Sequence, residues 1–253
     1  MSTLLTEEQR QFLDSTALWL RTQLAEHHQE NSEIELRFGS FTADTSAHRP
    51  LGAFVSGVNI TAWQRVRALF CNTTPDAHAC PPQSVLEIVT LSSDGDSSSR
   101  RQIEHADGTV THQRKTRIAQ RNVLFREPHS KQLVACRLSH STETTLVATS
   151  TASLSSTAAL LVRIRARTSF WHRMWRIDLS MVQQGLDREA ASRAPSVYEV
   201  EVELEPARVD WSRHDFHYLA LSLLLKIQEI STALVGVAGD DKQLPGIVAQ
   251  SDK

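Results

Sequence analysis

The chain has 253 residues, enough for one substantial hydrophobic core or at most two small domains. Forty per cent of it is hydrophobic, which excludes a disordered polymer, and a net charge of −2 excludes a uniformly basic surface that wraps nucleic acid. The averages conceal a bias: 22 of the 27 basic residues are arginine, and from Arg100 to Arg176 there are 14 basic residues against 4 acidic ones. Arginine's planar fork suits phosphate oxygens, so this bias points weakly to phosphate chemistry.

In chain order, residues 6–28 read as a helix. Thr6 and Gln9 can form a capping box, and Leu13, Ala17, Leu20 and Leu24 make one apolar stripe. A strand follows at 33–39, then a loop over 40–58. A short helix over 60–70 carries Trp63, Val66, Arg67 and Phe70 on one side. Pro75, Pro81 and Pro82 punctuate the next connection. From Val85 to Glu205 a period of two predicts strands at 85–91, 100–105, 109–117, 131–140, 142–148, 160–170, 174–183 and 198–205. Asp107-Gly108 is a hairpin signal, and Ser92 to Ser99 reads as an exposed loop. A long helix over about 211–235 carries Phe216, Leu219, Leu223, Ile227, Ile230 and Leu234 on one stripe. A loose tail is expected from about residue 239, and the whole chain reads as one domain. Closely spaced antiparallel strands favour a barrel or a sandwich.

The N-terminus carries no secretory pattern. Cys71, Cys80 and Cys136 lack zinc spacing and read as reduced cysteines, so an intracellular protein is expected. The sequons at Asn59 and Asn72 then read as chance matches. The longest near-apolar run, Leu219 to Leu225, is far short of the roughly 20 residues a membrane span needs, so no membrane is expected.

Two strands alternate in charge. In Glu33-Ile34-Glu35-Leu36-Arg37-Phe38, the charged residues share one face and the apolar residues the other. Glu199, Glu201, Glu203 and Glu205 likewise oppose Val200, Val202 and Leu204. Glutamate is a poor strand former, and like charges on one face repel, so these rows need compensation from solvent, a cation or basic strands. Val162-Arg163-Ile164-Arg165-Ala166-Arg167 is the basic mirror of this pattern, and Arg176 and Asp178 share a face further on. The charged faces could lie outside an ordinary barrel. They could instead line its lumen, with the apolar faces turned outward beneath the two long amphipathic helices. The second arrangement explains why such helices flank the strands at both ends.

These motifs resemble the metal-dependent RNA 5′-triphosphatases of fungal, protozoan and large-DNA-virus type, within the triphosphate tunnel metalloenzymes. The likeness runs over roughly residues 33–205. It comprises Glu33 and Glu35 in EIELRFG, Arg137 and Glu143 six apart, Arg163 and Arg165 in VRIRARTSF, Arg176 and Asp178 in WRIDLS, and Glu199, Glu201 and Glu203 in YEVEVEL. Arg101 with Lys115 or Arg117 matches the family's basic hairpin pair, with the register open. Arg137 and Arg163 stand where the family often has lysine.

The resemblance implies an eight-stranded antiparallel tunnel, mainly β with flanking helices, that hydrolyses the γ-phosphate of 5′-triphosphate RNA as the first step of cap formation. It implies Mg²⁺ or Mn²⁺ held by Glu33, Glu35 and Glu203, with nucleotide hydrolysis as a side activity in manganese. Glu201 and Asp178 would hold water, Glu199 would orient a basic side chain, and Glu143 would join the lumen network or position the nucleophile. Arg101, Lys115, Arg117, Arg137, Arg163, Arg165 and Arg176 would hold phosphates. The partner would be the triphosphate end of nascent RNA, together with a separate guanylyltransferase. The setting would be the nucleus, with the cytoplasm as the alternative.

Other readings stay open from sequence. One is a tunnel enzyme acting on tripolyphosphate, thiamine triphosphate or free nucleotides. Another is a non-catalytic barrel that binds RNA or a phosphoinositide. His27-His28 reads as surface, and Trp63, Trp171, Trp175 and Trp211 read as packing residues more readily than base-stacking platforms.

Overall fold

Strands that are apolar on one face and charged on the other cannot lie as an open sheet without exposing one of those faces. Here they close into a ring. The computed structural model describes residues 5–25, 31–42, 53–72, 78–79, 83–91, 98–146 and 160–236. Its elements run α1 (Glu7–Ala25), β1 (Ser32–Phe41), β2 (Phe54–Ser56), α2 (Ile60–Asn72), β3 (His78–Ala79) and β4 (Gln83–Leu91). They continue with β5 (Ser98–His105), β6 (Val110–Arg126), β7 (Leu133–Thr145), β8 (Leu160–His172), β9 (Trp175–Gly185), α3 (Arg188–Arg193), β10 (Val197–Leu204) and α4 (Phe216–Val235).

The spatial order is β10-β9-β8-β4-β5-β6-β7-β1, and pairing of β1 with β10 closes an eight-stranded antiparallel barrel. Closure removes the exposed edges that an open sheet would present. Two short strands add to its ends: β2 pairs with β1 at Gly39–Phe41, and β3 pairs with β8 at Phe170 and Trp171.

The register puts all the charged rows on one side. Glu35 faces Glu203, Arg37 faces Glu201, Glu201 faces Asp178, Glu87 faces Arg163 and Lys115 faces Glu143. The alternate residues Ile34, Leu36, Phe38, Ile177, Leu179, Val200, Val202 and Leu204 are buried in one hydrophobic cluster with α1, α2 and α4. The main core therefore lies outside the barrel, beneath the helices, and the charges line the lumen. This is the inside-out arrangement expected from the flanking helices.

Polar anchors fix the helices. Thr6 and Gln9 form the expected capping box: the Thr6 N–H donates to Gln9 Oε1 at 2.8 Å, and the Gln9 N–H to Thr6 Oγ1 at 3.2 Å. Asn59 caps α2 by accepting from the Ala62 N–H at 2.8 Å. Asp215 caps α4, and Arg65 of α2 donates to the terminal carbonyls of Ala233 and Leu234 at 2.8 and 2.7 Å. Buried Trp175 on β9 donates its indole N–H to Ser222 of α4 at 2.9 Å. By length and apolarity α4 matches a membrane span, but half of its apolar window is buried against the rest of the protein, as in a core helix.

Several boundaries differ from the sequence reading. The strands expected at 131–140 and 142–148 are one strand, β7, because Ser139, His140 and Ser141 stay in the ladder. β6 runs nine residues beyond the expected end at 117, across a bulge between Arg117 and Ala119. The helix expected from 211 begins at Phe216, where Asp215 can cap it. Cys71 lies exposed in the last turn of α2, which runs to Asn72 rather than ending at 70. β2, β3 and α3 carry too few residues to show a period. Cys80, His27-His28 and the tail from 239 lie outside the described residues.

Packing on the outside of the barrel can be tested with two leucines of α4. Leu223 is fully buried, whereas Leu225 is 51% exposed. Leu223→Ala should cost about 2–5 kcal/mol in urea unfolding. Leu225→Ala should stay within about 0.5 kcal/mol.

Candidate functional site

The lumen has an acidic and a basic side. β1 and β10 supply Glu33, Glu35, Glu199, Glu201 and Glu203, and β8 supplies Arg163, Arg165 and Arg167. Buried charge needs partners, and the two sides provide them. Arg163 pairs with Glu199 at 3.0 Å and with Glu87 at 3.3 Å. Arg165 pairs with Glu87 at 2.6 Å, and Arg167 with Asp178 at 2.9 Å. Arg176 pairs with Asp178 at 3.1 Å and also with Glu203. Asp178, fully buried, accepts a further hydrogen bond from the Ser169 hydroxyl at 2.6 Å.

A second network joins β1 to the basic hairpin. Lys115 reaches Glu33, lies 3.3 Å from Glu143 and is 3.7 Å from Glu35. Arg101 approaches Glu143 at 3.6 Å. Arg37 pairs with Glu35 and, at 3.0 Å, with Glu201. Lys115 is thus the hairpin residue that joins Arg101 in the network, while Arg117 and Arg137 line a recess beside it.

Protonation follows from burial and neighbours. Burial, reinforced by repulsion from Glu33, pushes the Glu203 carboxyl up to about 9. Burial pushes Glu201 up to about 7, with Arg37 opposing and Glu35 and Glu199 adding to the rise. Burial likewise raises Glu33 against the pull of Lys115. Burial also disfavours charge on Glu35, but Arg37 and Lys115 outweigh it and hold that carboxyl below its ordinary range. Against the same penalty, Lys115 and Arg101 depress Glu143, and Arg165, Arg163 and Arg101 depress Glu87.

The donor set suits a hard cation. Glu33, Glu35 and Glu203 offer only oxygen, and burial disfavours charge on Glu33 and Glu203, a penalty that a divalent ion would offset. Among the described residues, no group of three His, Cys, Asp or Glu side chains is arranged to hold a metal. Glu33 is drawn to Lys115, Glu35 to Arg37 and Glu203 to Arg176, so an ion would have to compete with those cations.

The basic side has donors to spare. Arg101, Arg165 and Arg167 each bury an Nε–H that meets no acceptor among the described residues, and so does the Ser180 hydroxyl. Buried donors normally find acceptors, and phosphate oxygens would serve. A larger groove of about 440 Å³ lies partly over the outer face of β8 and β9, with Ile164, Ala166 and Met181. It lacks the facing rows of charge that distinguish the lumen.

The sequence reading brought Glu33, Glu35, Arg101, Lys115, Glu143, Arg163, Arg165, Arg176, Asp178, Glu199, Glu201 and Glu203 to the site, and the structure gathers all of them in the lumen networks. It left out Glu87, Arg167 and Arg37. Arg37 and Arg167 continue rows already recognised, so parity alone could have added them. Glu87 is a lone acid in an apolar strand, which reads as a solvated position until β4 is paired with the arginines of β8.

A family model described as "mRNA capping enzyme, beta chain" matches residues 98–215. The S. pombe RNA triphosphatase Pct1 aligns with a TM-score of 0.60 at 16% identity, over 90% of this chain and 94% of that one. The mimivirus capping enzyme triphosphatase aligns with a TM-score of 0.57 at 16% identity, over 90% of this chain and all of that one, 100%. No curated protein matches the chain by sequence. The chain has the tunnel fold of these two enzymes.

Glu87 provides a test of the charge network. It is fully buried between two arginines, so Glu87→Ala should cost about 3–5 kcal/mol by leaving them without their shared anion. Its carboxyl sits below the ordinary value of 4.5. The stabilisation it gives is therefore present above that value and lost as pH falls through the lower folded-state value. The difference in urea midpoint between wild type and Glu87→Gln should shrink as pH is lowered from about 7 to about 3.

Proposed function

We propose that this protein is an RNA 5′-triphosphatase that removes the γ-phosphate from triphosphate-ended RNA, leaving a diphosphate end and inorganic phosphate. The observation that carries the reading is the closed lumen, in which a carboxylate side on β1 and β10 meets an arginine side with donors left over. The match of residues 98–215 to the capping-enzyme model, and a fold shared with two RNA triphosphatases, support it.

On this reading Glu33, Glu35 and Glu203 would hold Mg²⁺ or Mn²⁺, which when bound neutralises phosphate oxygens and favours attack by water. Arg101, Lys115, Arg163, Arg165 and Arg176 would grip the β and γ phosphates and offset charge as the bridging bond breaks. Arg167, held by Asp178, belongs with them. Arg117 and Arg137 line the neighbouring recess, apart from the group that grips the triphosphate. Glu143, Glu201 and Asp178 would orient the attacking water. Glu199, chelating Arg163 through both oxygens at 3.0 and 3.1 Å, would hold that guanidinium in place. The protein would act in the nucleus, and a separate chain would transfer the guanylyl group.

The test is release of label from γ-labelled triphosphate RNA in Mg²⁺, in Mn²⁺ and in EDTA. Wild-type protein should release free phosphate only with metal, and Glu33→Ala and Glu203→Ala should fall to background. Arg165→Ala should lose roughly 10²–10³-fold in kcat, the usual cost of deleting one donor to developing charge. Competition with tripolyphosphate would then separate an RNA enzyme from one acting on small polyphosphates. Failure of folded wild-type protein to release phosphate in either metal, with RNA binding unaffected by the glutamate changes, would mean a binding barrel instead.

A further inference from the structure

Arg137 is placed differently from the cations deeper in the lumen. Arg37, Lys115, Arg163, Arg165, Arg167 and Arg176 each have a carboxylate within ion-pair distance. Among the described residues, Arg137 has none. Its Nε donates to the neutral Asn122 Oδ1 at 3.0 Å, and its guanidinium lies over the Phe54 ring, 4.6 Å from the centroid. Burial, then repulsion from Arg117 and Arg37, depresses its pKa.

β2 makes the platform under Arg137 rigid. Phe54 pairs across the ladder with Phe41 and meets it edge-on at 5.6 Å. Gly39 lets β2 come this close, because a Cβ there would lie 2.1 Å from the Val55 carbonyl oxygen and 2.8 Å from the Phe54 ring. The guanidinium thus contacts a ring and donates to an amide oxygen.

These groups line a recess of about 160 Å³ that holds four cations, Arg37, Lys115, Arg117 and Arg137, and one carboxylate, Glu35. Ser56 and Ser139 add hydroxyls. Glu35, Arg37 and Lys115 also belong to the lumen networks, so the recess opens directly from the proposed triphosphate site. Its volume leaves room for a phosphate group.

We propose that this recess holds the first internucleotide phosphate of the RNA behind its triphosphate, gripped by Arg117 and Arg137. The adjoining base rests on the Arg137–Phe54 stack, as bases do on guanidinium and aromatic faces. The inference rests on the triphosphatase reading and adds to it the feature that tells an RNA end from a free nucleotide. A nucleoside triphosphate ends at its ribose and has no second anion to place here.

The test compares KM for a triphosphate-ended tetranucleotide and for GTP in wild type, Phe54→Ala and Arg137→Gln, with urea midpoints confirming that all three fold. Wild type should favour the tetranucleotide. The ratio of the two KM values should shift about 10-fold toward GTP in each variant, the scale of one charge-assisted contact. A ratio unchanged in both variants, or KM for GTP rising as much as that for the tetranucleotide, would overturn the proposal. If wild type hydrolyses neither substrate, the triphosphatase reading falls, and binding decides the recess by itself. Fluorescence anisotropy of a diphosphate-ended tetranucleotide would then show weaker binding in both variants if the recess takes RNA phosphate. Affinity equal to wild type would refute it.

Discussion

Like charges that face each other across a β ladder repel, and Glu35 faces Glu203 in the β1–β10 pair that closes this barrel. That pairing is tenable only if cations reach both residues. Arg37 and Lys115 reach Glu35, and Arg176 reaches Glu203. The same demand recurs around the ring. Glu87 stands alone on β4 and needs the arginines of β8 beside it, while Asp178 on β9 takes Arg167 from the neighbouring strand and Arg176 from two residues back on its own. Charge balance therefore selects which strands can be neighbours, and the topology satisfies it.

Turning charges inward forces the apolar residues outward. Ile34, Leu36 and Phe38 on β1, with Val200 and Val202 on β10, would face water without α1, α2 and α4. The helices supply the second layer that a barrel with an apolar interior would not need. They are tied down by directional contacts such as Arg65 on the last carbonyls of α4 and Trp175 on Ser222. The catalytic reading thus depends on the helices only indirectly: they hold the walls whose inner faces carry the charge.

Much of this was legible in the residues. A period of two with strict charge on one face identified β1, β8, β9 and β10 and the side of each that matters. Thr6 and Gln9 marked the start of α1, and Asp107-Gly108 the β5–β6 hairpin. What escaped notice depends on long-range pairing. Glu87 acquires meaning only when β4 lies beside β8, 76 residues away. Phe54 belongs to a three-residue strand that exists because Gly39 admits it. The bulge after Arg117 turns Gln120 toward the recess that Lys115 and Arg117 line, a change of phase that a regular alternation cannot show.

The pairing of lumen arginines with glutamates has a consequence for how the molecule meets salt. In an open basic groove, a polyanion displaces mobile ions, and added salt reverses the exchange. Here Arg163 and Arg165 are already matched by Glu199 and Glu87, which are part of the chain and cannot diffuse away. A phosphate entering the lumen meets cations that hold few mobile ions, with little release of chloride. Arg137, resting on neutral Asn122 and Phe54, keeps the ordinary ion atmosphere of an unmatched charge. Ionic strength is therefore felt at the mouth of the tunnel and hardly at all within it.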